Sequence, residues 1–61
     1  MTQLLRIPEV SEITGVPEAT LRFWRATNQG PPFARLGRRI VYREADVAAW
    51  IDAQFEKAAQ G

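Results

Sequence analysis

A chain of 61 residues with a formal net charge of +1 has room for one small core. It contains no cysteine and no histidine, which excludes disulfide support and cysteine-based metal sites, removes the commonest general base, and argues against an enzyme or a metal or cofactor protein. The opening Met1-Thr2-Gln3-Leu4-Leu5 lacks the marks of a signal peptide, and no apolar run nears the ~20 residues of a membrane helix; the expectation is one soluble cytoplasmic domain over residues 1–61 without membrane contact.

Leu4-Leu5-Arg6-Ile7 reads as a short extended entry able to pair with a later strand. A first helix is predicted from Pro8 to Thr14. Proline is tolerated in its first turn, Glu9 suits the positive end of the dipole, and Val10 and Ile13 recur at i, i+3 with Ser11 and Glu12 on the outer side. Gly15 stops this helix in a left-handed cap, Val16 tucks into the bend, and Pro17 restarts a helix at its first position. The second helix is predicted from Pro17 to Thr27 or Asn28. Pro17, Leu21, Trp24 and Asn28 share one face, with Leu21 and Trp24 as core anchors, while Glu18, Ala19, Arg22, Phe23 and Ala26 lie opposite.

Asn28-Gln29-Gly30 ends the second helix and Pro31-Pro32 forbids its continuation. Phe33 to Leu36 and Arg39 to Tyr42 then read as two strands around a Gly37-Arg38 turn, the Ile40-Val41 pair favouring extended backbone. A third helix is predicted from Arg43 or Glu44 to Ala58 or Ala59. Glu44 and Asp46 fall in its first turn and Lys57 in its last, and Val47, Trp50, Ile51, Phe55 and Ala58 form its apolar stripe. Trp24, Trp50 and Phe55 are core fillers in this reading rather than a ligand cage, with Phe33 and Tyr42 closing the core from the hairpin side. The predicted class is α+β: a small winged helix-turn-helix, with a two-helix unit, a β-hairpin wing and a C-terminal helix.

Charge is distributed unevenly along this order. Residues 31–43 carry Arg35, Arg38, Arg39 and Arg43 and no acid, whereas residues 44–61 carry Glu44, Asp46, Asp52 and Glu56 against Lys57. A basic hairpin opposite an acidic last helix suits a polyanion partner, double-stranded DNA above all. The second helix of a helix-turn-helix faces the major groove, so Glu18, Ala19, Thr20, Arg22, Phe23 and Arg25 are its candidate contacts. Arg22 is the one obvious base or phosphate binder, and an i, i+4 pair with Glu18 is compatible with that role. Phe23 has two readings: outward against a thymine methyl or the DNA backbone, or inward beneath the hairpin. Arg25 suits a phosphate, and Thr20 either the helix start or a phosphate. Arg38 and Arg39 at the hairpin tip are read as wing contacts, with Arg35 and Arg43 flanking the same surface. About five such arginines on phosphates would give a log K against log salt slope of roughly −4 to −5.

The pattern Ile7-x-x-Val10-x-x-Ile13-x-Gly15-Val16-Pro17-x-x-Thr20-Leu21-x-x-Trp24, followed by Arg35-Leu36-Gly37-Arg38-Arg39, Tyr42, Glu44, Asp46-Val47 and Trp50, resembles the small excisionases of phages and mobile elements. These recombination directionality factors belong to a winged helix-turn-helix group related to the DNA-binding domain of mercury-resistance-type (MerR) regulators. The resemblance implies a protein without catalysis of its own that binds adjacent sites on attachment-site DNA, bends it, associates with further copies along it and steers an integrase toward excision. It places Ala19, Thr20, Arg22, Phe23 and Arg25 on the recognition helix and Arg38 and Arg39 at the wing tip. Pro17 departs from the serine cap often found in the family, and with it goes the phosphate contact that such a hydroxyl sometimes makes.

Two other readings stand beside this one. A small phage or plasmid transcription regulator would use the same winged unit, and a protein-interaction adaptor would use the Phe23 face on a protein partner. With about one turn of sequence past Phe55, the expectation is a module that does not use the long dimerisation helix of MerR-type regulators. A single module of this size is expected to bind one DNA site weakly.

Overall fold

The computed structural model describes residues 3–60. β1 (Leu4–Leu5) leads into α1 (Ile7–Thr14) and α2 (Glu18–Ala26); β2 (Ala34–Leu36), β3 (Arg39–Arg43) and α3 (Glu44–Gln60) follow. β3 is the central strand of an antiparallel sheet ordered β1-β3-β2. Leu4 lies opposite Arg43 and Leu5 opposite Tyr42, while Ala34, Arg35 and Leu36 face Val41, Ile40 and Arg39 across the Gly37-Arg38 turn. This is a winged helix-turn-helix of the α+β class, with the two-residue entry strand closing the sheet on the side away from the hairpin.

Each of five elements places one side chain at the centre of the core: Leu5, Val10, Leu21, Tyr42 and Val47. Ile7, Val16, Trp24, Ile40 and Ile51 pack around them, and no polar or charged residue among the described ones is buried. Trp24 and Trp50 meet as a tilted pair with ring centroids 5.6 Å apart, which ties α2 to α3. Phe33 lies tilted on Tyr42 at 6.1 Å and is itself exposed.

Local chemistry fixes the bend between the first two helices. The Arg6 backbone N–H donates to Glu9 Oε1 at 3.0 Å, closing the start of α1. At the other end Gly15 takes φ +75° and donates to the Ser11 carbonyl at 2.8 Å, the left-handed cap that glycine adopts without strain. Two hydroxyls then latch the turn. Ser11 Oγ donates to the Val16 carbonyl at 2.7 Å, and Thr14 Oγ1 donates to the Val10 carbonyl at 2.7 Å while accepting the Val16 N–H at 3.2 Å. Ser11 is thus half-buried and structural rather than on the outer side. Pro17, expected as the first helical residue, has ψ 146° and stands one position outside α2. Its carbonyl accepts the Leu21 N–H at 3.1 Å.

The predicted apolar stripe of the last helix divides in two. Val47 is buried and Trp50 and Ile51 are half-buried, but Phe55 is 71% exposed and Ala58 is exposed too. Phe55 is therefore no core filler. It borders an open hollow with Ile13 and Val16 that no described side chain fills.

Burial raises the Tyr42 phenol above its ordinary pKa of 10.0, and the nearby Arg25 charge opposes that shift in part. The folded state therefore favours the neutral phenol. Its contribution to stability is complete below the unfolded value and is lost as pH rises through the folded one. Thermal unfolding from pH 8 to 11 should show the wild type losing stability above about pH 10 more steeply than Tyr42→Phe, which lacks this titration. Parallel curves for the two would contradict the assignment.

Candidate nucleic-acid interface

The helix-turn-helix bend holds α2 so that Leu21 is buried and Ala19, Arg22, Phe23 and Ala26 form a continuous exposed stripe at i, i+3, i+4, i+7. The ring of Phe23 is outward, with 61% of its surface accessible; of its two sequence readings, the one that tucks it beneath the hairpin is overturned. Glu18 and Thr20 are half-buried at the start of the same helix. Glu18 Oε1 accepts from Arg22 Nη2 at 3.2 Å. At this exposure the pair contributes only about 0.3–0.5 kcal/mol to the helix, and its main effect is to restrict where the guanidinium points.

Strand register decides which arginines join this stripe. Arg35 and Ile40 are opposite each other on the hairpin face that looks at α2. With Arg22, Arg25, Ala26 and Phe33 they line a hollow of about 320 Å³ between helix and wing. A second hollow of about 180 Å³ adjoins it where the start of α1 meets the hairpin tip. Arg6, Arg22, Arg25, Arg38 and Arg39 surround it over a floor of Ile7, Pro8 and Ile40. Arg22 and Arg25 belong to both hollows. Arg25 is half-buried between them, close enough to Tyr42 for its charge to oppose the phenol's upward shift.

Arg43 departs from expectation. It points to the other face of the sheet, where it lines a hollow with Leu4, Leu36 and Val41 and its Nε donates to Asp46 Oδ2 at 2.7 Å. Held there by Asp46, it adds nothing to the surface of Arg35, whereas Arg39, at the hairpin tip, still reaches the hollow beside Ile40. The place of Arg43 is taken by Arg6. Sequence reasoning missed this residue because its position depends on β1 pairing with β3, which brings the start of α1 alongside the wing. The only advance signal is that Arg6 directly follows the two residues that pair.

Among the described residues, the ion pairs are Arg22 with Glu18 and Arg43 with Asp46. Arg6, Arg25, Arg35, Arg38 and Arg39 thus carry uncompensated charge around two connected hollows. Several guanidiniums spaced along a trough fit a polyanion, since each is a planar donor that clamps a phosphate. No group of three or more acidic, histidine or cysteine side chains among the described residues is placed to hold a metal. No described helix is long and apolar enough to cross a membrane.

A projecting second helix beside a basic hairpin defines a DNA-binding module of the winged helix-turn-helix class. The family model described as a helix-turn-helix domain matches residues 4–54, and the chain belongs to that family, which includes excisionase-like DNA-binding proteins. No curated protein and no solved structure matches the chain.

Proposed function

We propose that this chain is an architectural excision factor. It binds double-stranded attachment-site DNA as adjacent copies, bends it, and directs an integrase toward excision without catalysis of its own. The observation that carries this reading is the imbalance of the interface. Five uncompensated arginines line the two connected hollows, whereas the exposed stripe of α2 holds a single polar side chain suited to a base edge, Arg22. Binding led by phosphates and DNA shape suits a protein that deforms DNA. One module of this size binds a single site weakly, so neighbouring copies supply the missing affinity.

Ile13 and Phe55, with Val16, Trp50 and Ile51, line an apolar hollow that shares no residue with the arginine hollows. A second copy seated there leaves the DNA face free. Phe55→Ser should therefore abolish cooperativity, so that the laddered complexes of a gel-shift titration collapse to the first band, while affinity for a single site stays within about twofold. Equal ladders for variant and wild type would remove this surface from the reading.

The reading as a whole is tested by gel-shift titration on circularly permuted fragments of attachment-site DNA. Laddered complexes whose mobility depends on the position of the site are the expected result. One discrete complex with position-independent mobility would instead favour a small phage or plasmid transcription regulator using the same winged unit.

A further inference from the structure

We infer that Phe23 and Arg22 together read a 5-methylpyrimidine followed by guanine in the major groove, either a thymine–guanine step or its 5-methylcytosine–guanine isostere. The inference rests on the proposal that α2 enters the major groove and deepens it by naming what the helix recognises. Phe23 is 61% exposed at the middle of α2, although Leu21 of the same helix is buried. No partner within the described fold covers this ring. Its neighbours on the exposed stripe, Ala19 and Ala26, are small enough for the helix to come close to the groove floor, which leaves the ring as the protruding apolar element.

The chemistry of the groove narrows what such a ring can meet. Among the base edges of the major groove, the C5-methyl group of thymine is the apolar feature; the others are hydrogen-bond donors or acceptors. A cytosine methylated at C5 presents the same group. Arg22 is the adjoining residue, and its guanidinium uses Nη2 to hold Glu18. The remaining N–H groups are left for the O6 and N7 acceptors of guanine, the commonest arginine–base contact. Glu18 is engaged in steering Arg22, so the stripe offers one guanine reader and one methyl reader on successive residues. Pyrimidine–purine steps of the thymine–guanine type are also the ones most easily kinked. Placing the reader on such a step joins recognition to bending.

The test begins with duplexes retained by the wild-type protein from a random-sequence library. Each thymine of a thymine–guanine step in a retained site is then replaced by deoxyuridine, which removes only the methyl group, and affinity is read by fluorescence anisotropy. Loss of one buried methyl should weaken binding about fourfold at the contacted step. Replacing that thymine–guanine step by cytosine–guanine should give similarly weak binding, restored by 5-methylation of the cytosine. Phe23→Ala, at an exposed position that leaves the core intact, should bind the thymine and deoxyuridine duplexes within twofold of each other. Retained sites without a contacted thymine–guanine step, a wild-type ratio near one at every step, or a ratio unchanged in Phe23→Ala would each overturn the inference while DNA binding stands. Retention of no duplex would overturn the DNA-binding reading and this inference with it.

Discussion

Replacing Arg38 and Arg39 together by alanine is expected to weaken DNA binding roughly 10²-fold, at about 1.4 kcal/mol for each charge-assisted contact removed. Both side chains border the hollow at the start of α1 and neither has an acidic partner among the described residues. Their alignment is therefore set by the hairpin backbone rather than by local ion pairing, and the fold itself should be indifferent to their loss. The salt dependence is the more discriminating readout. Five phosphate contacts give a slope of log K against log salt near about −4.5, and removing two should bring it to about −2.7. A double variant with wild-type slope would mean that the wing does not touch the backbone. Arg6→Ala should lower the slope by about one, which would place the start of α1 in the same trough. Arg43→Ala should leave the slope unchanged, because Asp46 already neutralises that side chain on the opposite face.

The contrast between Arg6 and Arg43 also marks where sequence reasoning stops. Gly15, the Pro31-Pro32 pair and the Gly37-Arg38 turn act through backbone chemistry within a few residues, so they locate the element ends wherever the rest of the chain lies. The stripe of α2 is equally legible, since helical spacing alone separates Leu21 from Arg22 and Phe23. Whether an arginine joins that stripe is a matter of sheet register and of which face each β residue takes. A strand pairing of only two residues, Leu4 and Leu5 with Arg43 and Tyr42, settles it. Phe55 escapes for a related reason. Periodicity tells which side of a helix is apolar, but not whether another element packs closely enough to cover it. The hydroxyls of Ser11 and Thr14 look like polar surface in the sequence, and only the bend itself turns them into latches.

The stability of this arrangement also depends on a residue with no side chain. Gly30 has φ +76°, and a Cβ added there would lie 2.6 Å from Cε3 and 3.3 Å from Cβ of Trp24. The tryptophan cannot simply withdraw, because its ring is tilted against Trp50 at 5.6 Å. Gly30→Ala therefore combines left-handed backbone strain, about 1–2 kcal/mol, with overpacking of roughly 1–3 kcal/mol. In a domain this small each kcal/mol moves the midpoint by about 4–8 °C, so a fall of 10 °C or more is expected in thermal unfolding. Gly15→Ala supplies the control. It shares the positive φ, at +75°, but an added Cβ there meets nothing within 4 Å, and only the strain remains. If the two variants melted together, the contact with Trp24 would carry no energy. A double-mutant cycle separates the terms further: Trp24→Leu should be distinctly less damaging in the Gly30→Ala background than in the wild type, with a coupling of about 0.5–3 kcal/mol. This contact joins the end of the recognition helix to the segment that launches the wing. Forcing the two apart should therefore also shift the angle between α2 and the hairpin, and below the melting range Gly30→Ala should bind DNA more weakly than Gly15→Ala.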